Sequence, residues 1–185
     1  MIYILLGAGF EESEALVTAD VLRRADLPVT LAGVEGRTVT GSHAITVQAD
    51  LPAAAVSLAP GDMLVLPGGM GGVSAMERSP AAMRLIRQAA GDPQLWLAAI
   101  CAAPTLLARA GLLPPGVHAV CYPGMEGELS AAGAVPVMDQ TVVAQGRLIT
   151  GRAPGSAFDF GLALVEMLAG TARADLVRSG LHYGE

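Results

Sequence analysis

The stretch Asp62–Leu66, DMLVL, constrains the fold more than any other. After the aspartate it has no polar face, and it stops at Pro67-Gly68-Gly69. A strand that is apolar on both faces belongs to a parallel sheet covered on both sides. Met1–Leu6, Pro28–Ala32, Leu95–Ile100 and Val117–Cys121 read as further strands. Helical stretches lie between and after them. Ser13–Ala25 is one. Pro80–Ala90 is another, with Ser79 as its N-cap and Pro80 at its first position. Ala102–Ala110 is a third, closed by Gly111. Ser156–Leu168 follows, ending near Gly170, and Thr171–Ser179 forms a last helix. Arg37–Val47 holds two short runs around Gly41-Ser42, the pattern of a hairpin. Val135–Val137, Thr141–Ala144 and Leu148–Thr150 are short strands. Strands alternating with helices predict an α/β fold with a mainly parallel central sheet. In such sheets, sites gather beyond the carboxyl ends of the strands. GFEESE, LPGGMGG and AICAAP lie at those ends.

Composition narrows the function. The chain's 185 residues suffice for one domain, residues 1–185, with a sizeable core. Hydrophobic residues make up 52%, yet no uncharged apolar run reaches the roughly 18 residues of a membrane span. The start, MIYILLGAGFEE, has no basic region and reads as a first strand rather than a signal peptide. With two cysteines, this predicts a reducing, cytoplasmic setting. A net charge of -6 and no basic stripe argue against nucleic acid as a partner. All 11 basic residues are arginine, which excludes a Schiff-base lysine and a P-loop lysine. Three histidines and two cysteines lie scattered without ligand spacing, so no metal site is expected.

Cys101 stands where a strand meets a helix. A sharp turn there raises the sulfur above the sheet, as in a nucleophile elbow, which needs small residues two positions either side. Ala99 and Ala103 occupy those positions. A thiol at a helix N-terminus is drawn toward thiolate, and the Ala102 N–H would face a developing oxyanion. Equally, a free cysteine is often a small buried hydrophobe. Gly68 and Gly69 fit either an anion-binding nest or a tight turn. Glu11 and Glu12 are accounted for by the positive end of a helix. Glu14 is different: it lies three residues before Val17 and seven before Val21, on their face. A buried carboxyl is costly unless paired or protonated; neutral, it would donate a hydrogen bond to a thiolate. Cys121 is a second redox thiol or a packed small residue. Arg152, at the start of a loop near a strand end, binds a carboxylate or pairs with an acidic surface group.

GFEESEAL, VTGSHAITV, DMLVLPGGMGG, AAICAAPTLLARAGLL, CYPGMEGEL and ITGRAPGSAFDFGLALVEML together resemble the DJ-1/PfpI superfamily, in particular its bacterial DJ-1-like proteins. The resemblance covers nearly the whole chain. It implies a flavodoxin-like three-layer sandwich and a homodimer. It places the reactive nucleophile at Cys101, its glutamate partner at Glu14, and the oxyanion side at Gly68, Gly69 and Ala102. Relatives of the PfpI type carry a histidine directly after the cysteine, where this chain has Ala102. Animal members carry a histidine before a proline, where this chain has Tyr122. His43 stands where animal members have an arginine near the dimer interface; it would approach Cys101 from the partner chain, together with Arg24. The resemblance implies a cofactor-independent enzyme acting on 2-oxoaldehydes, turning methylglyoxal into lactate, with deglycation as a variant. The alternative is a redox sensor whose Cys101 stops at sulfinic acid. A peptidase or amidase is the third reading, with His43 or Tyr122 as base.

Overall fold

The computed structural model describes residues 1–184; Glu185, the last residue of the expected domain, lies outside the described residues. In chain order the elements are β1 Ile2–Leu6, α1 Glu12–Arg24, β2 Val29–Gly33, β3 Thr38–Thr40, β4 Thr46–Gln48, β5 Leu51–Pro52, β6 Met63–Leu66, α2 Met70–Arg78, α3 Pro80–Gly91, β7 Trp96–Ile100, α4 Ala103–Arg109, β8 His118–Ala119, α5 Glu126–Ala131, β9 Val135–Pro136, β10 Val142–Gln145, β11 Leu148–Gly151, α6 Ala157–Ala169 and α7 Thr171–Gly180.

Seven strands form the central sheet in the order β10-β11-β7-β6-β1-β2-β5, and only β10 runs antiparallel to its neighbour. β6 is buried at every residue, as its lack of a polar face requires. Ile4, Leu5, Leu64, Val65, Ala98 and Ile100 are all sealed from solvent at the centre of the sheet. Helix α1 packs on α6, and α6 on α7; α2 packs on α3 and α4. The result is the flavodoxin-like α/β sandwich. From β1 the chain proceeds to β2 on one side, while β6 and β7 lie on the other. The strand order therefore reverses between β1 and β6, and a crevice opens there at the carboxyl ends. Those ends carry GFEESE, LPGGMGG and, on β7, AICAAP.

Three local expectations change. Val117–Cys121 is not a strand of the main sheet. Only His118–Ala119 is extended and paired, to β9 in a separate two-stranded ribbon. Beyond it, the Val120 N–H donates to the Thr150 hydroxyl at 3.0 Å and the Tyr122 N–H to the Cys101 carbonyl at 2.8 Å, so this backbone is satisfied outside a ladder. β11 takes the place beside β7. Helix α2 starts in a glycine-rich stretch with poor helix propensity; burial of Val73, Ala75 and Met76 offsets that cost. Helix α5, Glu126–Ala131, is likewise absent from the sequence pattern, with only Leu129 buried. By contrast, α3 begins as expected: the Ser79 hydroxyl accepts from the Ala82 N–H, and Pro80 follows.

Glu12 fixes the β3–β4 hairpin to α1. It is buried, and its carboxylate accepts from the His43 N–H at 2.7 Å, the Ile45 N–H at 3.3 Å and the Ser42 hydroxyl at 3.1 Å. His43 Nδ1 lies 3.0 Å from Oε2. Burial works to raise the pKa of Glu12, but the His43 side chain and the N–H groups of Glu12, His43 and Ile45 outweigh it and lower it to about 2. A carboxyl depressed in the folded state stabilises it above the ordinary value of 4.5, and that contribution is lost as pH falls through about 2. Protection of the His43 and Ile45 amides, taken relative to their intrinsic exchange rates, is therefore expected to fall as pH drops through this window. Glu12→Gln is expected to abolish that dependence and to cost about 1–3 kcal/mol in denaturant unfolding. An unchanged pH profile in the glutamine variant would contradict the role of the charge.

Candidate active site

Cys101 sits at the end of β7 with φ of +65°, in the left-handed region. A residue bearing a side chain is held there at a cost of roughly 1–2 kcal/mol. Its backbone is fastened on both sides: its N–H donates to the Gly151 carbonyl at 2.9 Å, and its carbonyl accepts from Tyr122. The next carbonyl, of Ala102, accepts from the Thr105 N–H and hydroxyl at 3.1 and 2.8 Å, which fixes the first turn of α4. Ala99 and Ala103, fully buried, leave room for the turn. The elbow read from the sequence is present, and it leaves Cys101 only 7% exposed.

Glu14 comes to the same point from α1 and is wholly sealed from solvent. Its Oε2 accepts from the Gly68 N–H at 2.6 Å, and Oε2 and the Cys101 sulfur both flank Gly68, where the carboxyl and the thiol shift each other's titration. The other oxygen, Oε1, has no protein partner among the described residues. Gly68 must be glycine: a Cβ there would lie 2.7 Å from both the Cys101 Cβ and Glu14 Oε2. Gly69, at φ +79°, begins α2. Its N–H and that of Ala102 point at the Cys101 sulfur. The two glycines thus divide: Gly68 gives its N–H to the carboxyl, and Gly69 joins Ala102 on the sulfur.

The electrostatics follow from burial. Burial raises the Glu14 pKa to about 7; the Glu11 charge adds to it, while the Cys101 and Gly68 hydrogen bonds oppose it. Burial, then the Glu14 carboxylate and its hydrogen bond, push the Cys101 thiol up; the Ala102 and Gly69 N–H groups pull it down. The expectation that a helix end draws this thiol toward thiolate is overturned: burial and the Glu14 carboxylate outweigh the two N–H groups. Cysteine and glutamate titrate together. Once the pair has lost one proton, the other is held between carboxyl and sulfur, and thiolate exists only where Glu14 keeps it.

A cavity of about 490 Å³ opens over the sulfur, lined by Glu11, His43, Gly69, Met70, Cys101, Ala102, Tyr122, Met125 and Pro154. His43 reaches this cavity from its own chain. Its Nδ1 faces Glu12, whose hydrogen bond, followed by the charges of Glu11 and Glu12, raises the imidazole pKa. Tyr122 is 44% exposed at the rim. Neither residue hydrogen-bonds the sulfur among the described residues. Arg24 lies elsewhere: it pairs with Asp20 at 2.7 Å on the exposed face of α1. Arg152 lines a neighbouring cavity that shares Tyr122 with this one. Cys121 is buried outside both, its thiol bonded to the Tyr122 carbonyl and its pKa raised to about 11 by burial and by Glu126 and Glu128.

Sequence reasoning missed Glu11 at the cavity wall and the buried Glu12. Glu12 precedes Ala15 and Ala19 by three and seven residues, the same phase that singled out Glu14, but alanine marks a buried face weakly. Glu11, Glu12 and His43 offer ligand atoms within 4.8 Å of one another. The Ser42 hydroxyl lies within hydrogen-bond distance of Glu11, Glu12 and His43 Nδ1, and Nδ1 lies 3.0 Å from Glu12.

Comparison with known proteins identifies the family. The model of the DJ-1/PfpI family matches residues 1–167. Protein dj-1beta of Drosophila melanogaster is 41% identical over 179 residues, covering 96% of this chain and 94% of that one. Its crystal structure superposes with a TM-score of 0.89 at 39% identity, covering 100% of this chain and 98% of that one. The glutathione-independent glyoxalase DJR-1.2 of Caenorhabditis elegans is 32% identical over 165 residues, covering 89% of this chain and 86% of that one. By fold and by sequence along most of its length, the chain belongs to the DJ-1/PfpI family.

Proposed function

We propose that the chain, as one DJ-1-like domain, is a cysteine-dependent, cofactor-independent enzyme acting on small 2-oxoaldehydes, with methylglyoxal as the simplest substrate and lactate as product. One observation carries this reading: a wholly buried carboxyl, Glu14, lies beside a strained cysteine, the two meeting at Gly68, and the Gly69 and Ala102 N–H groups pull the thiol's pKa down. The relation to a protein named as a glutathione-independent glyoxalase supports it.

The reaction balances without any redox partner. The Cys101 sulfur bonds to the aldehyde carbon, and the carbonyl oxygen becomes an oxyanion facing the Gly69 and Ala102 N–H groups. The proton on that carbon is removed and returned to the neighbouring carbon, with Glu14 as shuttle. The former aldehyde carbon is oxidised to a thioester as the keto carbon is reduced to an alcohol. Water then cleaves the carbon–sulfur bond, releasing the hydroxy acid and restoring the thiol. Deglycation is a variant in which the aldehyde arrives as an adduct. Cytoplasmic location and a homodimeric state belong to the same proposal; among the described residues no helix is long and apolar enough to cross a membrane.

A second reading, the redox sensor, rests on the same sulfur: a protonated Glu14 is a ready donor to a sulfinate oxygen. Turnover separates the two. A peptidase or amidase finds less support, because Ala102 fills the place of an adjacent histidine and His43 faces Glu12.

Purified protein given methylglyoxal is expected to release lactate, and Cys101→Ala to reduce the rate to background. Lactate formation by the alanine variant at the original rate, or none by the unaltered protein, would overturn the proposal. Glu14→Gln is expected to lower kcat by about 10²–10⁴-fold, the usual loss of a proton-transfer group.

A further inference from the structure

We infer that Arg152 forms an anion subsite beside the nucleophile, so that the preferred 2-oxoaldehydes carry a carboxylate on the side remote from the aldehyde. The inference rests on the function proposed above and deepens it.

Register places Arg152 there. β11 runs parallel to β7 with Gly151 opposite Ile100, and the Gly151 carbonyl accepts the Cys101 N–H. Arg152 is the first residue after β11, as Cys101 is the first after β7. Neighbouring strands stand about 4.8 Å apart, so the two backbones are in adjacent positions at the carboxyl edge. The loop that follows is the wall between two cavities. Pro154 lines the one over Cys101; Arg152, Ala153, Gly155 and Ser156 line the other, about 380 Å³, and Tyr122 borders both. That wall is held rigid by the Ser156 hydroxyl, which donates to the Ala153 carbonyl at 2.8 Å and accepts the Ala153 N–H at 3.0 Å.

The guanidinium itself is unused. Of the 11 arginines, nine have a side-chain hydrogen bond, ion pair or aromatic contact among the described residues. Arg87 and Arg152 have none. Arg87 is exposed on α3, whereas Arg152 is half-buried in a cavity wall. Half-burying an unpaired guanidinium in a chain of net charge -6 is unfavourable unless an anion from outside completes it. Arginine's planar fork suits a carboxylate, which it takes with two parallel hydrogen bonds. Glu11, which lines the cavity over Cys101, repels the same group. An anionic substrate is thus oriented with its carboxylate toward Arg152 and its aldehyde over Cys101.

Two measurements test this, and the first needs no turnover. Iodoacetate and iodoacetamide alkylate the same thiol and differ in charge. Peptide mass spectrometry reports Cys101 separately from Cys121. The ratio of iodoacetate to iodoacetamide rates at Cys101 is expected to fall about tenfold in Arg152→Gln, to recover partly in Arg152→Lys, and to decline with salt in the unaltered protein. An unchanged ratio in the glutamine variant overturns the subsite. The second compares kcat/KM for 4,5-dioxopentanoate, a 2-oxoaldehyde with a distal carboxylate, against methylglyoxal. The ratio is expected to exceed tenfold and to collapse in Arg152→Gln; a ratio near one in the unaltered protein, or one the substitution leaves in place, overturns the preference. If neither aldehyde is consumed, the glyoxalase reading fails, and the alkylation ratio alone decides the subsite.

Discussion

The contact between the Glu14 carboxyl and the Cys101 sulfur is the constraint around which the rest is arranged. A carboxyl sealed from water is tolerated only if it is neutral or well bonded. Here Gly68 gives it one N–H at 2.6 Å and Cys101 the other contact. Three segments must meet for this: the start of α1, the turn after β6 and the elbow after β7. The parallel sheet delivers all three to one edge, because β1, β6 and β7 are consecutive neighbours. Gly68 can carry no side chain, since a Cβ would occupy the space between the two reacting groups.

Strain is the second element. Among the described residues, Cys101 is one of four non-glycine residues with positive φ, and of those four it is the one that lines the cavity beside Glu14. Its conformation is enforced by bonds to Gly151 and Tyr122, which belong to β11 and to the segment after β8. The segment expected as a fifth central strand instead serves to hold the elbow. The proton chemistry therefore depends on parts of the chain far from the sulfur in sequence.

Much of this was legible in the sequence. The lack of a polar face in DMLVL gave the parallel sheet, Ala99 and Ala103 gave the elbow, and the phase of Val17 and Val21 gave Glu14. What escaped depends on tertiary geometry. Nothing in LPGGMGG tells which glycine N–H faces a carboxyl and which a sulfur. Glu12 is hidden because its helical face is marked by alanines and its partners come from a distant hairpin. Arg24 was expected to reach the site only from a partner chain; within its own chain it pairs with Asp20, one turn before it. Helix α2 was missed because glycines at its start hide a buried face formed by Val73, Ala75 and Met76.

The central claim is that Cys101 and Glu14 share a proton, and that the sulfur reacts when the pair has lost one. The most direct test follows the rate of Cys101 alkylation by iodoacetamide against pH in the unaltered protein and in Glu14→Gln. An inflection at about 7, the ionisation of the pair, is expected in the former. In the glutamine variant, that inflection should vanish and the rise move to higher pH, because no carboxyl remains to release the first proton and burial still disfavours the thiolate. The same inflection in both proteins would contradict the account.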